Sequence, residues 1–335
     1  MSERDEVLQL LESANEKPAV EYSQPQISRE SARSDYFVNT DNLIEAAKKL
    51  TAEYEDEDKI LEGRPAEKIL FQGWRSLVAF PEVYPEGYAL KAIGIVAHHE
   101  LARIYKDFRY QYRFTGRVVN QAAGQYLGAE QELLNVANDI SGEDKDDLQE
   151  QDSRPWWAGA GVAEKQKLFG EWCASLVIGF NQRDIEDWNP NCEDLYRTVH
   201  AMRPEQTREI GVLYEELRDR IRSSLTVLRE QHENIFHGWG GEAANLCLDW
   251  LRGLESYGIE LENAAATIAN AYAWHEGKQR TWQEAMRDHD WMWRQLDDWV
   301  PNAHSLGREV AQVIQWQTLA TIYAFPLDDT PWPGR

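Results

Sequence analysis

The chain has 335 residues, enough to bury a sizeable core as one large domain or two smaller ones. Fifty-eight acidic residues against thirty-five basic ones leave a formal net charge of −23. That charge argues against binding to nucleic acid or an anionic membrane, since both want a basic face.

The N-terminal stretch from Met1 to Glu6 is polar and lacks the apolar core of a signal peptide, so a general secretory route is not expected. Routes that read a folded signal stay open. No apolar run approaches the roughly 18–20 residues that span a bilayer, so no membrane span is expected. Residues 1–36, polar and aperiodic with Pro18 and Pro25, read as a disordered tail.

Residues 37–140 read as a first helical hairpin. Thr40-Asp41-Asn42 offers N-cap residues ahead of Leu43, Ala46, Ala47, Leu50 and Tyr54. The joint holds Pro81, Pro85 and Gly87. The second arm carries Leu101, Tyr105, Phe108, Tyr112, Thr115, Val119, Ala122 and Tyr126, stepping 4-3-4-3-4-3-4 as a heptad seam does. Residues 141–202 read as a linker with a short helix. Within them, 141–153 hold six acids and one lysine, and Leu168, Trp172 and Leu176 suggest the helix.

Residues 203–279 read as a second hairpin. Leu213, Leu217, Ile221, Leu225, Leu228 and Ile235 share one stripe on a helix from Glu205 to Phe236 that would be roughly 48 Å long. After Gly238-Trp239-Gly240-Gly241 comes a second seam of Cys247, Leu251, Leu254, Gly258, Leu261, Ala265, Ile268 and Tyr272. Gly238 suits a left-handed C-cap, and Glu242 suits the first turn of the next helix. Residues 280–335 read as accessory helices, one with Trp282, Met286, Trp293, Leu296 and Val300, another with Leu306, Val310, Val313 and Tyr323. The fold expected is all-α: an elongated antiparallel bundle of two helical hairpins plus accessory helices.

The two hairpins end alike. Aligning their seams sets Tyr126 on Tyr272, and each tyrosine is followed four residues later by a glutamate, Glu130 and Glu276. At that spacing ring and carboxylate share a helical face. Trp239-Gly240-Gly241 between two helices, with Tyr272-x-x-x-Glu276 closing the second, resembles the WxG-motif helical hairpins that are substrates of type VII (ESX) secretion in actinobacteria and related bacteria. The first hairpin is similar to the EspC-like branch. Its opening, Phe37-Val38-Asn39-Thr40-Asp41-Asn42-Leu43-Ile44-Glu45-Ala46-Ala47, and its closing, Ala122 to Glu130, carry that likeness. It departs from the wider pattern in having no Trp-x-Gly turn, since Gly73-Trp74-Arg75 has the order reversed. The resemblance covers a little over half the chain.

In that family, partner hairpins pair into a four-helix bundle. The WxG turn of one lies near the Tyr-x-x-x-Glu tail of the other, and the export machinery reads the composite. For this chain the resemblance implies an intramolecular version. Trp239 and Gly241 would lie near Tyr126 and Glu130, and Tyr272 and Glu276 toward the first joint near Pro85. The implied partners are the secretion machinery with its motor ATPase and chaperone, and a WxG-family protein or a second copy. The implied location is the cytoplasm before export and the envelope or exterior after it. A signal glutamate must be reachable, whereas a packing residue need not be.

Motifs for chemistry are not evident, and no enzyme activity, cofactor or metal is expected. In His98-His99-Glu100, Arg103 stands where HExxH needs its second histidine. His232 and His237 are splayed about 140° around a helix. Gly159-Ala160-Gly161 lacks the third glycine of a dinucleotide loop, and Glu55 to Asp58 reads as a solvated acidic face. Three cysteines (Cys173, Cys192, Cys247) read as reduced thiols, a Cys173–Cys192 pair being the alternative. Fourteen Trp suit helix seams, or a sugar groove if they cluster. The competing functions are a cytosolic helical adaptor or chaperone for a secreted partner, and a hydrolase with paired buried carboxylates.

Overall fold

The computed structural model describes residues 20–28, 30, 37–52, 66, 85–127, 192–288, 303–322 and 324–325. Among them the secondary structure is helical, in six helices: α1 (Thr40–Ala52), α2 (Pro85–Leu127), α3 (Cys192–Ala201), α4 (Pro204–Gly238), α5 (Glu242–Asp288) and α6 (Ala303–Ile322). The all-α class expected from the heptad seams is what the chain adopts. The 141–153 linker, the Leu168-to-Leu176 helix, Cys173, Glu55 to Asp58, Gly159 to Gly161, Glu130 and the Trp293-to-Val300 stretch lie outside the described residues.

Three of the helix starts have a local reason. At α1, Asn39 Oδ1 accepts the N–H of Asn42 at 3.3 Å, so the cap is one residue earlier than Thr40. Pro85 opens α2 and Pro204 opens α4, positions where the missing N–H leaves no helical bond unmade. Pro85 and Gly87 therefore belong to α2 rather than to a joint before it. Between α3 and α4, Arg203 O accepts the N–H groups of Gln206 and Thr207.

α4 and α5 form an antiparallel pair, read from rungs along their length. Thr207 Oγ1 donates to Gln279 Oε1 at 2.8 Å, Arg222 Nε to Glu262 at 2.7 Å, and Arg229 Nε to Glu255 at 2.6 Å. The seam residues of both helices are buried as their spacing predicts. α2 lies against this pair, with Tyr112 Oη donating to Ser224 O at 3.0 Å and Trp250 Nε1 to Thr115 Oγ1 at 2.9 Å. Tyr257 Oη reaches Ile104 O at 3.4 Å and Asp107 Oδ2 at 3.1 Å, so α2 and α5 are antiparallel too. The three helices meet at Gly258, where a Cβ would stand 2.7 Å from Leu225 Cδ2 and 2.7 Å from Phe108 Cε2. α1 packs on α2 around Gly116 through Ala47, Leu50 and Thr51.

Two boundaries differ from the sequence reading. α5 continues through 279 to Asp288, so Trp282 and Met286 extend the hairpin arm instead of starting an accessory helix. Their apolar faces prolong the same stripe, and nothing at 280 breaks the helix. Residues 20–28, expected to be part of a disordered tail, lie extended along α5. Their bonds come from main-chain atoms, which leave no periodicity to read.

Candidate functional site

Trp239 leaves α4 in extended backbone (φ −143°, ψ 135°) while its N–H still bonds Ile235 O at 2.9 Å. Gly241 then takes φ 100°, a conformation an L side chain rarely adopts, and its carbonyl accepts the N–H of Asn245 at 3.2 Å as α5 begins. Gly241, not Gly238, is thus the left-handed residue. Gly238 is still helical, and Asn42 Cβ lies 2.9 Å from where a side chain at 238 would start.

The turn is clamped to the start of α1. Val38 and Trp239 form an isolated antiparallel bridge, Asn39 N–H donates to Gly238 O at 2.6 Å, and Gly240 N–H donates to Phe37 O at 2.9 Å. Trp239 is 4% exposed, so its indole packs into the core. What this turn presents outward is the half-buried Gly241 and the exposed Glu242, while Gly240 is buried under the start of α1.

Tyr126 lies in the last turn of α2. From the Thr115–Trp250 rung, α2 advances about 16 Å to Tyr126 while α5 recedes about 12 Å to its start after the turn. The antiparallel register therefore sets the end of α2 and the Trp239 turn at one end of the bundle.

Tyr272 is elsewhere. It is fully buried, stacked on Tyr214 with ring centroids 6.1 Å apart, and Phe325 meets its edge at 5.5 Å. Tyr214 Oη pairs with His98 Nδ1 at 3.1 Å. Tyr272 thus lies beside the His98 region, in the half of α2 toward Pro85 and away from the Trp239 turn. Burial pushes both phenols above their ordinary range, and for Tyr214 the neighbouring Tyr272 adds to the shift. The Tyr272 hydroxyl finds no hydrogen-bond partner among the described residues. Glu276 is 16% exposed at its side chain and ion-paired with Arg280. α6 closes this end, with Gln317 Oε1 accepting Trp282 Nε1 at 2.6 Å and Thr321 Oγ1 3.3 Å from His275 Nδ1. The arrangement is a packed aromatic layer, and it offers Tyr272 no surface.

The histidines do not converge. His98 is buried against Tyr214 and His99 is exposed, while His232 is buried and His237 exposed. Among the described residues no group of three or more His, Cys, Asp or Glu could hold a metal ion. Cys192 and Cys247 are both buried, and burial pushes the Cys247 thiol up to about 12. No helix among the described residues is long and apolar enough to cross a membrane.

Sequence reasoning missed two features. Glu255 and Glu262 are paired buried carboxylates, but their oxygens are engaged by Arg229, Arg222 and residues 23–27, as acceptors rather than as a free acid and base. The signal that marks them is a shared seven-residue spacing: Arg222 and Arg229 on α4 match Glu262 and Glu255 on α5. The second is an exposed apolar patch of Phe114, Val118, Leu246 and Trp250. Phe114 and Trp250 rings are 6.3 Å apart, across the α2–α5 groove nearest the Trp239 turn.

No protein-family model matches the chain, and no curated protein matches it.

Proposed function

We propose that the chain is a type VII (ESX) secretion substrate or secretion-associated protein, exported as a folded helical bundle. The signal is composite: the turn of Trp239 and Gly241 acts with Tyr126 and Glu130. The observation that carries this reading is the antiparallel register of α2 and α5, fixed by the Thr115–Trp250 and Asp107–Tyr257 contacts. It brings a WxG turn and the last turn of a neighbouring helix to one end within a single chain. The family this sequence resembles builds the same juxtaposition from two partners.

Of the two Tyr-x-x-x-Glu copies, the one at Tyr126 accompanies the turn. Tyr272 is core and Glu276 is tied to Arg280, so that copy is assigned to stability. No catalytic step is proposed. The partners are the motor ATPase and a chaperone, and the protein is cytoplasmic until export and in the envelope or outside afterwards.

The test is export of Tyr126→Ala and Glu130→Gln variants from a host with an intact ESX system, comparing culture filtrate with lysate. Both variants should stay in the lysate with unchanged helix content, and Tyr272→Phe should be exported like wild type. Wild-type export of both Tyr126→Ala and Glu130→Gln would sink the composite signal.

The exposed patch of Phe114, Val118, Leu246 and Trp250 favours a second reading, a cytosolic helical adaptor or chaperone that holds a secreted partner. Under it the wild-type chain stays in the lysate whether or not the motor is present.

A further inference from the structure

One face of α5 buries polar side chains that a core helix rarely hides: Glu255, Glu262 and Asn263 are each no more than 3% exposed. Arg229 and Arg222 neutralise the carboxylates from the α4 side. The other polar valences go to the strap of residues 20–28. Glu255 accepts the N–H groups of two successive residues, Gln26 on Oε1 at 2.9 Å and Ile27 on Oε2 at 3.0 Å. Asn263 accepts the Ser23 N–H at 2.9 Å and donates to the Ser23 carbonyl at 3.2 Å. Arg252 donates to Ser28 O at 2.7 Å and to Glu30 O.

These contacts read main chain. An asparagine amide that meets both the N–H and the C=O of one residue stands in for a neighbouring β-strand, the mode by which extended peptides are recognised. Side chains of the strap add less: Ser23 Oγ donates to Glu262 at 2.8 Å, Tyr22 Oη lies 3.5 Å from Thr267 Oγ1, and Ile27 packs on the core. Pro25, with no N–H to give, falls between the donating positions 23, 26 and 27.

We infer that the α4–α5 face beneath the strap is a peptide-binding groove, which takes an extended segment of another polypeptide by its main chain and has residues 20–28 as its resident occupant. The partner it fits is an extended segment with free N–H groups at the positions of Ser23, Gln26 and Ile27 and an aliphatic side chain at that of Ile27. The inference is independent of the secretion reading. Because the strap is tethered close by, its effective concentration is in the millimolar range, so a free segment competes only when the strap is weakened or the rival binds better.

The experiment uses the full chain. Gln26→Pro with Ile27→Pro removes both donors to Glu255, and an extended strap tolerates proline. A fluorescent peptide of residues 18–30 is then titrated in while anisotropy is followed. The double variant should bind it saturably, and the wild type at least about tenfold more weakly because its groove is filled. Adding Asn263→Ala should abolish the binding. Absence of saturable binding by a double variant with wild-type circular dichroism overturns the inference, as does equal binding by the wild type. Loss of helix content in the double variant also overturns it, since the strap would then be a wall of the fold and not an occupant.

Discussion

A Cβ added at Gly258 would stand 2.7 Å from atoms of Leu225 and Phe108, on two different helices. Both neighbours are fully buried side-chain ends that would have to repack in a filled core, so Gly258→Ala should destabilise the fold by about 1–3 kcal/mol, read as a lower Tm. An unchanged Tm would mean that the crossing is looser than described. The sequence marked Gly258 as a small residue in a heptad seam, but only the fold reveals what needs the space. His275 makes a second residue-scale prediction. Burial pushes its imidazole down from 6.5 to about 3, so the unfolded chain takes up the proton first. The stability due to the neutral ring is present above about pH 6.5 and drains away as pH falls toward 3. Glu260 has the opposite slope: burial raises it from 4.5 to about 7, so its contribution is present in acid and lost as pH rises through that window. The informative comparison is therefore variant against wild type. His275→Gln should flatten the acid-side decline of Tm, and parallel curves would contradict this assignment.

At the scale of elements, heptad spacing made most of the architecture legible. The seams of α4 and α5 were readable because each apolar side chain recurs on one face, and a helix must bury that face. The lower limit of α4 was readable from Pro204, whereas the end of α5 was not, because Trp282 and Met286 prolong its stripe to Asp288. The strap was invisible because bonds from backbone N–H to Glu255 and Asn263 impose no pattern on residues 20–28. The turn was found from Trp239 and the glycines, though its left-handed residue is Gly241. Burial of Trp239 against the start of α1 has a practical consequence. Trp239→Ala should destabilise the protein by about 3–5 kcal/mol in thermal or denaturant unfolding. A change within about 0.5 kcal/mol would place the indole outside the core. Because this substitution disturbs packing, a loss of export in Trp239→Ala would not by itself identify a signal.

For the whole molecule, charge and composition excluded more than they identified. The net charge of −23 and the run of helices fit a bundle that meets other proteins, and they leave the partner open. The candidate signal was half legible. The motifs lie in the sequence, but which Tyr-x-x-x-Glu copy accompanies the turn depends on the direction of α2 relative to α5, and that is a tertiary property. Burial then marks the second copy as core, since the aromatic layer around Tyr214 and Phe325 encloses Tyr272. Export of the intact chain is the property to measure. The full chain is expressed with an internal tag in an actinobacterial host, with and without the ESX motor ATPase, and culture filtrate is compared with lysate. An ESX substrate appears in the filtrate only when the motor is present. Retention in the lysate of a host whose motor is exporting its own WxG-family proteins, the native host included, would contradict the secretion reading.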